Sequence, residues 1–240
     1  MPEQVRPGTL FMIPSPIAEG DPRYVLPQNL GERIRHIRHF VVETPRISRR
    51  FLSSLKIFPS MEALSFEVLD KDTKEQEVPR LMKPLQEGHD MGVLSDAGCP
   101  GVADPGAQAA AYAHSVGAPV VPIVGPSSIL LALMASGLNG QRFAFHGYLP
   151  VKKDQLEKAI RELERESRLK NQTQIFIETP YRNEALFRII LGTCHTSTQV
   201  TLGIHLTARD QVIRTLTVGE WKKQTFYVPK ATAVFMVLVQ

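Results

Sequence analysis

Two loops concentrate the residues that could build a ligand site. Met91 to Leu94 is a short apolar run that stops at Ser95-Asp96, and residues 96 to 106 then hold three glycines, two prolines and two aspartates. Val120 to Val124 is a second apolar run, and it empties into Gly125-Pro126-Ser127-Ser128 before a further helical pattern. Each reads as a buried strand feeding a tight loop. In a parallel sheet such loops gather at the carboxyl edge, where Asp96, Gly98, Gly101, Asp104 and Gly106 would line a ligand crevice. Glycine permits positive φ or a close backbone approach, so these loops could grip a ligand with peptide groups. Neither GxGxxG nor GxxxxGK[ST] occurs, which removes the usual warrant for a dinucleotide or nucleoside triphosphate.

The elements that would position these loops follow from periodicity and turn chemistry. Strands are expected at Thr9 to Ile13, Phe40 to Val42, Leu64 to Leu69, Met91 to Leu94 and Val120 to Val124, with helices at about Gln28 to Arg38, Arg46 to Leu55 and Ala107 to Ser115. Glu75 to Gln86 has a helical composition that Pro79 and Pro84 weaken. A helix over Ile129 to Leu138 leads to a second strand system: Phe143 to His146, Gln174 to Glu178, Val200 to Leu206, Val212 to Val218 and Ala233 to Val239. The charged run Asp154 to Lys170 keeps Leu156, Ile160, Leu163 and Leu169 on a helical stripe, and another helix carries on from Arg182 to Leu191. Residues 1 to 8 read as a short disordered lead. The chain is thus two α/β domains, the first mainly parallel and the second mixed, and the pattern alone would divide them near Asn139.

Composition bounds the function. The 240 residues are 43% hydrophobic and 22% charged, which suits a globular chain with a full core. The two cysteines, Cys99 and Cys194, show no CxxC spacing, and the seven histidines form no HxxxH pair, so neither a disulfide framework nor a metal site is expected. No apolar run approaches the length of a membrane span, and no basic region near the start precedes a signal-length apolar stretch, so the expected location is the cytoplasm. Net charge is only +4, yet positions 33 to 56 carry Arg33, Arg35, Arg38, Arg46, Arg49, Arg50 and Lys56 against Glu43. Such a local excess could bind a nucleic-acid backbone.

SDAGCPGVADPG at 95 to 106, PIVGPSS at 122 to 128, FAFHGYLP at 143 to 150 and FIETPYR at 176 to 182, taken in order, resemble the tetrapyrrole-methylase superfamily of S-adenosylmethionine-dependent methyltransferases. The likeness is colinear from Thr9 to about Val239, and it is greatest toward the branch that methylates a ribose 2′-hydroxyl of small-subunit ribosomal RNA. The resemblance implies a cofactor cleft between the two domains, a boundary just after Gly125 (1–125 and 126–240), a homodimer, and RNA as partner. It places the cofactor against Pro14, Asp96, Ala97, Gly98, Ser127, Ser128 and Ile177.

Methyl transfer to a hydroxyl is chiefly a positioning task, helped by a base within hydrogen-bond reach of the proton that leaves. Glu178 and His146, both at strand ends, are the expected catalytic residues, and Glu43 is a third possibility, although Arg46 could simply pair with it. Arg46, Arg49, Arg50, Tyr181 and Arg182 are the expected substrate-binding residues. The chain departs from the family pattern on the substrate side. The ribosomal branch usually has Ala-Glu-Asp-Thr-Arg where this chain has Val42-Glu43-Thr44-Pro45-Arg46, Phe-Glu-Gly at Phe145-His146-Gly147, and Ser-Pro-His-Arg at Thr179-Pro180-Tyr181-Arg182. A late Arg-Glu-Leu-Thr-Lys becomes Ile204-His205-Leu206-Thr207-Ala208. These changes leave open a tetrapyrrole or other small-metabolite acceptor, or a non-catalytic cofactor-binding relative.

Overall fold

The computed structural model describes residues 6–239. These residues fold as two compact units, divided between Ser127 and Ser128. Most of the lead expected at residues 1 to 8 lies outside the described residues. Gly8 is already tied to the fold, its N–H donating to the Leu85 carbonyl at 2.8 Å.

The first unit is a doubly wound parallel sheet. Strands β1 (Leu10–Ile13), β2 (His39–Val42), β3 (Ser65–Val68), β4 (Met91–Leu94) and β5 (Val120–Pro122) lie in the order β3-β2-β4-β1-β5, every pairing parallel. The period-2 alternation of each strand sorts its side chains onto two faces. Ile13, Phe40, Val42 and Leu94 pack with helices α1 (Leu30–Ile34) and α2 (Pro45–Ser54). Leu10, Met12, Val41, Met91 and Val93 pack the other face against α3 (Val78–Leu81), α4 (Lys83–Gln86) and α5 (Gly106–Ser115). The single helix expected over Glu75 to Gln86 is broken into a 3-10 turn and two short helices, with Pro79 and Pro84 in the first turn of each, where a missing N–H costs nothing. The helix expected from Gln28 to Arg38 is also shorter, because Pro27 and Asn29 delay its start and the chain leaves at Arg35.

The second unit opens with α6 (Ser128–Ser136) and builds a mixed sheet from β6 (Phe143–Tyr148), β7 (Thr173–Glu178), β8 (Gln199–Ile204), β9 (Val212–Thr217) and β10 (Ala233–Leu238). Their order is β6-β7-β10-β8-β9, with β6 and β7 parallel and the remaining pairs antiparallel. The amphipathic α7 (Lys153–Lys170) and α8 (Asn183–Thr193) cover one face, α6 the other. α7 stops at Asn171 in the left-handed region, φ 46°, which asparagine tolerates better than most residues.

A short helix, α9 (Val218–Trp221), falls in a stretch with no helical period, and its capping box at Thr217 and Glu220 is the local signal that starts it. It delivers Trp221 to the core between Phe187 and Phe226, where the indole N–H donates to the Val200 carbonyl at 2.9 Å. Trp221→Phe removes that bond and part of a buried ring. Its expected cost is about 1–3 kcal/mol, read as a lower urea midpoint at unchanged m-value.

Candidate active site

The chain leaves β1 toward β2 on one side and leaves β4 toward β5 on the other, so the winding of the first sheet reverses between the neighbouring strands β1 and β4. Ligands of such sheets bind at the carboxyl ends beside that reversal. Here the two loops there are tied to each other. Ser15 N–H donates to the Gly98 carbonyl at 2.8 Å and Gly98 N–H to the Ser15 carbonyl at 3.0 Å, while the buried Ser15 hydroxyl donates to the Ser95 carbonyl at 2.9 Å. Gly98 has φ +79°, a left-handed conformation in which an L side chain is strained.

The β5 loop closes on the same place. A Cβ at Gly125 would overlap the Pro14 ring, with Cγ 2.5 Å away, so the close approach of those two loops requires glycine. Cys99, which sequence spacing leaves without a role, donates its thiol hydrogen to the Pro126 carbonyl at 3.3 Å, and burial pushes that thiol's pKa up. Pro14, Asp96, Gly98 and the Gly125 loop are thereby gathered at one edge, with Ala97 exposed on it. Ser127 ends the first unit, and Ser128 begins α6 in the second.

Three carboxylates occupy this edge. Asp96 accepts from the Thr44 N–H at 3.1 Å on one oxygen and from the Thr44 hydroxyl at 2.7 Å on the other. Its own N–H donates to Glu43 Oε2 at 3.0 Å. Asp104 accepts from the N–H groups of Gly101 at 2.9 Å and Gly106 at 2.6 Å, while its other oxygen is buried with no partner among the described residues. Burial raises the pKa of Asp104, and burial together with the nearby charges of Asp96, Asp104 and Asp70 raises that of Glu43. The pairing of Glu43 with Arg46 left open by the sequence is not formed; the Asp96 peptide holds Glu43 instead.

The seven basic residues between 33 and 56 do not form one surface. Arg38 precedes β2, whereas Arg46 follows it on α2, at the opposite edge of the sheet. Arg46, Arg49 and Arg50 are exposed together on α2, Arg49 lying 4.5 Å above the Phe66 ring and Arg50 3.7 Å from Glu19.

In the second unit Glu178 ends β7, its side chain 0% exposed. Oε1 accepts from the Thr179 N–H at 2.7 Å, and Oε2 faces Arg182 Nη2 at 3.0 Å as an ion pair whose angles fall short of a hydrogen bond. Tyr181 is exposed, with the Lys230 ammonium 5.6 Å from its ring centre, and Ile177 is half-buried on the face toward α6. His146 lies at an irregularity in β6, its Nε2 2.7 Å from Gln174 Oε1. Gln174 is four residues before Glu178, about 13 Å along the strand, so the two candidate catalytic side chains are not brought together.

No family model matches the sequence. Ribosomal RNA small subunit methyltransferase I of Escherichia coli O157:H7 is 30% identical over 221 residues, covering 90% of this chain and 73% of that relative. The chain belongs to the ribosomal RNA small subunit methyltransferase I family. The relative of the same name from Pseudomonas aeruginosa is 30% identical over 187 residues, covering 73% of this chain but 58% of its own length, so relatives carry sequence beyond the matched part. Among solved structures, the methyltransferase CobJ superposes with a TM-score of 0.63 over 97% of this chain and 100% of its own, at 15% identity, which establishes the shared α/β fold.

A methyl donor bearing a sulfonium and an ammonium is cationic near its reacting end. The edge described above fits it, offering peptide groups and, on Asp104, a buried carboxylate oxygen with no partner among the described residues. Because the Gly125 and Pro14 loops leave no room for a methyl group, Gly125→Ala is expected to lower stability by about 1–3 kcal/mol. Gly140→Ala, where a Cβ meets nothing within 4 Å, stays within about 0.5 kcal/mol of the parent in the same urea titration.

Proposed function

We propose that this chain transfers a methyl group from S-adenosylmethionine to a ribose 2′-hydroxyl of small-subunit ribosomal RNA. The observation that carries the reading is the 30% identity to the E. coli relative across 90% of the chain. The chain is an S-adenosylmethionine-dependent methyltransferase. Its donor rests on the carboxyl edge of the first sheet, against Pro14, Asp96, Ala97 and Gly98, with Ser127 as a further contact. Asp96 contributes through its backbone, since both carboxylate oxygens are held by Thr44.

RNA is held by Arg46, Arg49 and Arg50, which share the exposed face of α2 and directly follow the β2 loop. Arg182 and Tyr181 are further substrate contacts, with Arg182 also balancing the charge of Glu178. The enzyme works in the cytoplasm, and no helix among the described residues is long and apolar enough to cross a membrane. A homodimer is supported by α6, which is apolar on every face and leaves Met134 80% exposed.

Calorimetric titration with S-adenosylmethionine and S-adenosylhomocysteine tests the donor, and a ribosomal RNA methylation map from cells lacking the gene tests the acceptor. Binding of both ligands and loss of one 2′-O-methyl mark are expected; no heat from either ligand, or an unchanged map, would count against the reading. Replacing Arg46, Arg49 and Arg50 together by alanine should weaken RNA binding and flatten its salt dependence by about 0.7–0.9 in log–log slope for each phosphate no longer neutralised. Donor affinity should stay as in the parent.

A further inference from the structure

We propose that Glu43 is the group that takes the proton from the acceptor hydroxyl, and that the Asp96–Thr44 clasp sets its position. The inference rests on the methyltransferase reading above and names the base that reading leaves unassigned.

Three carboxyl or imidazole groups are candidates for this role, and their surroundings separate them. Glu178 has no exposed side-chain surface, and its oxygens are committed to Thr179 and Arg182. Protonating it would break an ion pair and leave Arg182 unbalanced. His146 is bound to Gln174, and Gln174 is held in turn by its amide donating to the Gln172 carbonyl at 3.1 Å.

Glu43 differs from both. It follows β2 directly, at the carboxyl edge of the first sheet, beside the Asp96 loop. Oε2 is fixed by the Asp96 N–H, while Oε1 has no partner among the described residues. One oxygen is anchored and the other is available, which is the arrangement a positioned base needs. The anchor is itself braced: Thr44, the next residue, uses both N–H and hydroxyl to hold Asp96, so the loops after β2 and β4 are clasped from both sides. The groups that face Glu43 electrostatically are Asp96, Asp104 and Asp70, all acidic, and with burial they raise its affinity for a proton.

In the step assigned to it, the ribose 2′-O–H bond breaks and its proton moves to Glu43 Oε1. The 2′-oxygen forms a bond to the methyl carbon as the carbon–sulfur bond breaks, its electron pair staying on sulfur. The products are the 2′-O-methyl ribose, neutral S-adenosylhomocysteine and a protonated Glu43, which returns its proton to water.

The test compares wild type, Glu43→Gln and Glu43→Asp on small ribosomal subunits lacking the mark. Glu43→Gln should lower kcat by about 100-fold or more while calorimetric donor affinity stays within about threefold of wild type. The rate of wild type should rise with pH through a midpoint above the usual carboxylate range. Glu43→Asp should keep that limb at a reduced rate, whereas the residual rate of Glu43→Gln should lack it.

A second readout needs no turnover. The folded-state pKa of Glu43 lies above its unfolded value, so the folded protein binds more protons between the two, and stability contributed by the protonated form is lost as pH rises through the folded pKa. Glu43→Gln should therefore melt higher than wild type at pH 7, with the gap closing in acid. The inference is overturned if Glu43→Gln keeps kcat within about threefold of wild type, or if its melting difference from wild type does not change with pH. Wild type that neither binds donor nor methylates subunits would overturn the methyltransferase reading as well; an active wild type with an equally active Glu43→Gln overturns this assignment alone.

Discussion

A parallel sheet obliges every strand to release its chain at the same edge, where peptide groups that have left the ladder must find other partners. In the first unit that demand is met by the loops themselves. Ser15 and Gly98 exchange both of their peptide hydrogen bonds, and Ser15 adds its hydroxyl to the Ser95 carbonyl. The reciprocal pairing needs the β4 loop to turn back sharply, which sets Gly98 at positive φ. It also draws the β5 loop close enough that Gly125 lies against Pro14 with no room for a side chain. A site made this way is rigid because its walls are one another's hydrogen-bond partners, and it can present peptide groups to a ligand without a side-chain motif.

The same packing explains how three carboxylates can share one edge. Each is given N–H donors: Asp96 has the Thr44 peptide and hydroxyl, Asp104 the peptides of Gly101 and Gly106, and Glu43 the peptide of Asp96. Peptide dipoles stabilise the charged forms but do not cancel the charge, and for Glu43 and Asp104 burial outweighs them. The second unit solves the equivalent problem with a cation, Arg182 against Glu178. The carboxylates at the first edge are therefore met by peptide and hydroxyl donors, and the one at the second strand end by a cation.

Much of this architecture is legible in residue order. Apolar runs of about five residues ending in Gly, Pro, Asp or Ser locate the strands, and the alternation of Leu10, Met12 and Ile13 between two cores is the ordinary period of a strand covered on both faces. The prolines at 79 and 84 are legible as weak points, and the chain breaks there into two short helices. What is not legible depends on strand order. Thr44 and Asp96 are 52 residues apart and meet only because β4 inserts next to β2, leaving β3 outside. No local pattern encodes that neighbour relation. The commitment of His146 to Gln174 is hidden for the same reason, and α9 escapes a periodicity reading because four residues are too few to show a helical period.

The departures from the family pattern at positions 44, 146 and 205 look different once their partners are known. Each has been absorbed locally: Thr44 by Asp96, His146 by Gln174, and His205, at φ 51° after β8, by Asp210 at 2.6 Å. Position 44 is the most telling. An acid there would set a second carboxylate at hydrogen-bond distance from Asp96, a repulsion that only a bound cation or a proton could relieve. Threonine turns that contact into a donated hydrogen bond of 2.7 Å and removes one negative charge from the edge that Arg46, Arg49 and Arg50 adjoin. The clasp then holds without any ligand, because a hydroxyl donor and a carboxylate acceptor complement each other where two carboxylates would not.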